Sequence, residues 1–163
     1  MENNFFSEET AVILGLGEFQ VGKCPMGTIG LGSCVALILH DRRRSLAGLA
    51  HIMLPESRGS VDRPGKFADT AVSALMEEME RAGGTKFAIT AIIVGGASMF
   101  EFSANALNIG ERNIAAVKSL LLERGIKIEY EEIGGRVGRS VYYWPEGKGH
   151  LIIKRADGTC VDI

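Results

Sequence analysis

Proline, tryptophan and cysteine are scarce in this chain, at four, one and three of 163 residues. With so few prolines and no Pro/Ser-rich stretch, nothing reads as a linker. One domain over residues 11–163 is expected, after a flexible leader of residues 1–10. An odd number of cysteines (Cys24, Cys34 and Cys160), with no signal-peptide pattern ahead of them, argues against a disulfide framework. Long apolar runs are also missing. Nothing approaches the roughly 20 residues of a membrane span, and the apolar stretch 11–16 is too short for a signal core. A cytoplasmic protein without membrane insertion is the expectation. An excess of positive charge is absent too: 18 basic residues face 20 acidic ones. This speaks against a general nucleic-acid binder. Metal-ligand spacing such as CxxC or HxxxH does not occur, so no metal and no cofactor are expected.

What the chain has in excess is glycine, 21 residues, about twice the usual share of roughly 7%. The glycines cluster at 27–32, 95–96 and 134–138. Such clusters mark tight turns and close backbone approach.

Periodicity supplies the elements. Phe67, Ala71, Val72, Leu75, Met76 and Met79 recur at helical spacing and predict a helix over 67–81, stopped by Gly83-Gly84. A second helix is predicted from 109 to 124. Asn108 and Glu111 form its capping-box-like start, and Gly125 is its stop. Strands are expected at 11–16, 34–40, 46–54, 87–94 and 126–130, with a hairpin of 137–144 and 150–155. The segment 27–33 (GTIGLGS) reads as a glycine-rich turn. Six or seven strands with two helices, not strictly alternating, predict α+β, with sheets in two layers and helices against them.

Cys34 follows GLGS and opens an apolar run. By position it reads either as a small buried hydrophobe or as a nucleophile whose neighbouring N–H groups, around Gly32 and Ser33, hold an oxyanion. A thiol is only a few per cent ionised at neutral pH, so a nucleophile needs a base. His40 sits six residues along the same strand, some 20 Å away, and is excluded. His51 is the alternative. If Arg42-Arg43 are the centre of a hairpin, positions summing to 85 oppose each other, and Cys34 faces His51. Thr28 is either a turn residue or the group that orients the imidazole. Arg42-Arg43-Arg44 reads as a solvated turn. Arg136 and Arg139 read as exposed loop arginines or as a carboxylate grip. Phe100 and Phe102, in a polar loop, read as a partner surface or as a core plug.

Six segments together, TIGLGSC (28–34), HIMLP (51–55), PGKFAD (64–69), GGASMF (95–100), NIGERN (108–113) and GGRVGR (134–139), resemble the motifs of the CheD family. These are the chemoreceptor glutamine deamidases of bacterial and archaeal chemotaxis. The resemblance runs over nearly the whole chain, with Phe67 where the family more often shows tyrosine. It implies an α/β sandwich of two mostly antiparallel sheets flanked by two main helices, similar to the catalytic domain of cytotoxic necrotizing factor toxins. It places the family's cysteine, histidine and threonine on Cys34, His51 and Thr28. The implied activity is that of a protein-glutamine glutaminase, which turns receptor glutamine into glutamate through a thioester. Hydrolysis of glutamyl methyl esters would follow the same chemistry. The implied substrate is the cytoplasmic region of methyl-accepting chemoreceptors. The alternative function is that of an adaptor, since the family also pairs with CheC-type phosphatases: the protein would bind such a phosphatase through residues 95–102, which hold Phe100, and raise its activity. Cys24 and Cys160 receive no role.

Overall fold

The structure, a computed structural model, describes residues 7–59, 62–98 and 108–163. Ten strands and two α-helices occur among them: β1 (Val12–Leu14), β2 (Phe19–Gly22), β3 (Met26–Leu31), β4 (Val35–Asp41), β5 (Leu46–Ile52), α1 (Ala68–Arg81), β6 (Ile89–Gly95), α2 (Ile109–Glu123), β7 (Lys127–Ile133), β8 (Arg139–Trp144), β9 (His150–Arg155) and β10 (Cys160–Asp162). They form two five-stranded sheets, ordered β1-β3-β8-β9-β10 and β2-β5-β4-β6-β7. Each sheet has one parallel pair, β1/β3 and β6/β7, and is otherwise antiparallel. The α+β sandwich with two main helices is the architecture expected. No helix of the described residues is long and apolar enough to cross a membrane.

Every residue of β4 and β5 is buried, because both faces of their sheet are covered. Period-two alternation splits the side chains between two cores. Val35, Leu37, Leu39, Ala50 and Ile52 pack against α1 and α2. Ala36, Ile38, Ala47 and Leu49 meet Val141, Tyr143, Leu151 and Ile153 of the other sheet. Helix α1 buries Ala71, Val72, Leu75, Met76 and Met79, the stripe read from the sequence. Helix α2 begins where expected, with the Asn108 side chain accepting the Glu111 N–H at 3.2 Å.

The structure corrects three readings. Residues 26–31 are strand β3, not a turn. Its glycines serve the pairing: a Cβ at Gly27 would lie 2.7 Å from the Tyr142 ring on β8. Gly30 (φ +72°) makes the irregularity between Thr28 and Leu31. The short strands β2 and β10 carry too few residues to show a period. The hairpin register also differs. Opposing residues of β4 and β5 sum to 87, with Val35 opposite Ile52 and Ala36 opposite His51. The loop holds four residues, 42–45, because Asp41 is still paired with Leu46. The buried Asp41 carboxylate accepts the Arg43 N–H at 3.1 Å and the Thr85 N–H at 2.7 Å, which shapes the turn.

Candidate functional site

A register shift of two leaves every side chain on its face, whereas a shift of one would have reversed them. His51 therefore still shares the inter-sheet face with Cys34, as its diagonal neighbour rather than its direct partner. Diagonal Cα atoms lie roughly 7–8 Å apart, within reach of a long side chain. Cys34 is half-buried and packs against the inter-sheet core. His51 is 1% exposed and Thr28 fully buried.

Thr28 reaches His51 from the opposite sheet. Its Oγ1 lies 2.6 Å from His51 Nδ1 and donates to the Leu14 carbonyl at 2.7 Å. A hydroxyl has one proton, and a carbonyl oxygen can only accept. Thr28 therefore spends its proton on Leu14, and Nδ1–H must donate to Thr28 Oγ1. The chain of bonds fixes the imidazole tautomer, leaving a lone pair on Nε2. That atom is buried and has no hydrogen-bond partner. Burial pushes the His51 pKa below its ordinary value and the Cys34 pKa above its own. Both shifts favour the neutral forms, a thiol at Cys34 and an imidazole at His51.

Thr28→Val keeps the shape but removes this anchor. We expect kcat to fall about 10- to 100-fold, as when an outer partner of a metal-bound histidine is lost. Thr28→Ser should retain most of it. Steady-state kinetics on the two variants check this, and equal losses would count against the hydroxyl.

The glycine loops converge here. Gly32 O accepts from Ala97 N at 2.8 Å, Cys34 O from Gly96 N at 2.8 Å, Gly95 O from Gly134 N at 2.9 Å and Gly135 O from Ser98 N at 2.8 Å. Gly95 (φ +112°) admits no side chain, since a Cβ would come within 2.4 Å of Cys34 O. A cleft of about 380 Å³ starts at Gly30–Gly32 and runs along Arg139, Ser140 and Arg155.

Other candidates are placed elsewhere. His40 lies at the far end of β4, where Nε2–H donates to Pro145 O at 3.1 Å and Nδ1 accepts from Tyr143 OH at 2.5 Å. Arg139 is buried and pairs with Glu132 at 2.8 Å, and Arg155 pairs with the same carboxylate. Arg42 pairs with Glu129. Cys24 and Cys160 are exposed. Phe100 and Phe102, the expected partner contact, lie outside the described residues. No group of three or more potential metal ligands occurs among the described residues.

One residue of the site was not anticipated. Asn113, buried on α2, donates from Nδ2 to both Ser33 O and Met53 O at 3.0 Å each. The signal was present as a polar residue on the buried stripe formed by Gly110, Asn113, Val117 and Leu121.

Fold and site together define an α+β sandwich with a cysteine, a histidine and a threonine gathered between its sheets. The family model described as CheD chemotactic sensory transduction matches residues 53–155. The chain is 45% identical over 148 residues to the chemoreceptor glutamine deamidase CheD of Thermotoga maritima, covering 90% of this chain and 92% of that one. It is 42% identical over 149 residues to a probable chemoreceptor glutamine deamidase CheD of Archaeoglobus fulgidus, covering 90% and 94%. Among solved structures, the Bacillus licheniformis hypothetical protein YfiH overlaps at a TM-score of 0.47 and 15% identity, over 70% of this chain and 49% of that one. The protein belongs to the CheD family.

Proposed function

We propose that the protein hydrolyses glutamine side-chain amides of chemoreceptors, with Cys34 as nucleophile and His51 as base. The observation that carries this is the bond chain from His51 Nδ1–H through Thr28 to Leu14 O, which leaves Nε2 bare on the face shared with Cys34. The names of the family relatives supply the substrate class.

His51 Nε2 takes the Cys34 thiol proton as sulfur attacks the carboxamide carbon. The oxyanion is held by backbone N–H groups around Gly32, Ser33 and Cys34. His51 returns the proton to the leaving nitrogen, ammonia departs and a thioester remains. His51 then deprotonates water, which attacks the thioester. The Cys34 sulfur leaves, recovers a proton, and the product is glutamate. A glutamyl methyl ester would pass through the same thioester, with methanol leaving.

The test is incubation of the purified protein with a receptor cytoplasmic fragment, followed by peptide mass spectrometry and ammonia detection. Specific glutamines should gain the mass of an amide-to-acid conversion, with matching ammonia. Activity on free glutamine with none on receptor would reject the protein substrate.

A further inference from the structure

We propose that Asn113 is a positioning residue that sets the oxyanion-binding face of the nucleophile loop; this rests on Cys34 being the acyl-accepting nucleophile. Asn113 stands on the second turn of α2, on the far side of the loop from the inter-sheet face that Cys34 and His51 share. Its single amide group holds Ser33 O and Met53 O at 3.0 Å each. These carbonyls sit on the two chain segments that lead into β4 and out of β5, beyond the first pair Val35↔Ile52. The amide thus ties the mouth of the hairpin shut at the level of Cys34.

The consequence follows from peptide geometry. In a planar trans peptide the N–H of one residue points opposite to the carbonyl of the residue before it, and no cis peptide bond occurs among the described residues. With Ser33 O drawn toward Asn113, the Cys34 N–H is turned away from α2. With Gly32 O bonded to Ala97 N, the Ser33 N–H is turned away from the 95–98 segment. Both donors lie outside the β4 ladder, which begins at Val35. Asn113 suits this task because a neutral amide gives two N–H donors to two neutral carbonyls without burying a charge. Its Oδ1 is buried without a partner, a cost the helix bears to place Nδ2 where it is.

Two reactions of the same sulfur separate this role from general support of the loop. Acylation of Cys34 by p-nitrophenyl acetate passes through an oxyanion, whereas alkylation by iodoacetamide does not. Asn113→Ala and Asn113→Asp are compared with the unaltered protein and with Cys34→Ala, at one pH, in both reactions. The expected result is a loss of about 100-fold in the acylation burst, the scale of one oxyanion donor, with the alkylation rate unchanged. Parallel loss of both rates would assign Asn113 a merely structural part and overturn the proposal, as would no loss in either. If one variant fails to fold, the other carries the comparison. Absence of a Cys34-dependent burst in the unaltered protein would overturn this proposal and the mechanism together. A burst that depends on Asn113 in a protein that leaves receptor glutamines intact would reject only the receptor substrate.

Discussion

Cys34→Ala is expected to reduce ammonia release from receptor to background while the protein stays folded. Loss of a hydrolase nucleophile costs about 10⁶-fold in turnover, since His51 and the backbone donors cannot replace the bond that sulfur makes. The fold should tolerate the change. Cys34 is half-buried before the start of β4, so the lost packing is worth about 1 kcal/mol. Cys34→Ser is the sharper variant. Its side chain is nearly isosteric, but an alcohol is far less acidic than a thiol. An imidazole whose basicity burial has lowered is poorly matched to it. We expect Cys34→Ser to be almost as inactive as Cys34→Ala. Ammonia assays with thermal unfolding on each variant check both halves. Substantial deamidation by Cys34→Ala would refute the covalent mechanism.

His51→Leu should move activity and stability in opposite directions. Without the base, turnover falls by about 10²–10⁴-fold. Yet the substitution removes a buried nitrogen that has no partner, and Thr28 keeps its own bond to Leu14 O. Relief of such an orphan is worth about 1–3 kcal/mol, against about 1 kcal/mol for the lost Nδ1–H bond to Thr28, so the melting temperature should hold or rise. A fall in both quantities would mean that His51 is chiefly a structural residue.

The unaltered protein's pH profile tests the same site. His51 must be unprotonated to accept the thiol proton, so the rate falls as the pH drops through its pKa. Burial places that pKa below the ordinary 6.5, and activity should persist through pH 6.5 before declining. The Cys34 thiol, pushed above its ordinary value by burial, should show thiolate absorbance, read as the difference from Cys34→Ala, only in alkaline solution. Thiolate absorbance at neutral pH would contradict the neutral thiol.

The sequence carried some of this design openly and concealed the rest for identifiable reasons. Helices α1 and α2 were legible because period 3.6, an Asn108 cap and the glycine stops agree. Strands β4 and β6 were legible as apolar runs. Strand β3 was not, because its two glycines, Gly27 and Gly30, look the same whether they make a turn or admit Tyr142 and a bulge. The hairpin register depended on Asp41, whose side chain organises the loop through Thr85, forty-four residues away. Ala36, not Cys34, stands opposite His51, but Cys34 and His51 keep one face because the loop holds two residues more than a two-residue turn rather than one more. Asn113 was hidden because its partners, the Ser33 and Met53 carbonyls, lie eighty and sixty residues away along the chain.

Thr28 belongs to one sheet and His51 to the other, with Cys34 just ahead of β4. The His51 tautomer on which the proposed mechanism rests therefore exists only while the two layers are in register. Turnover is in effect a gauge of interlayer docking. Under gradual loosening by mild denaturant or heat, the enzyme should fall silent while its strands and helices still register in a circular dichroism spectrum.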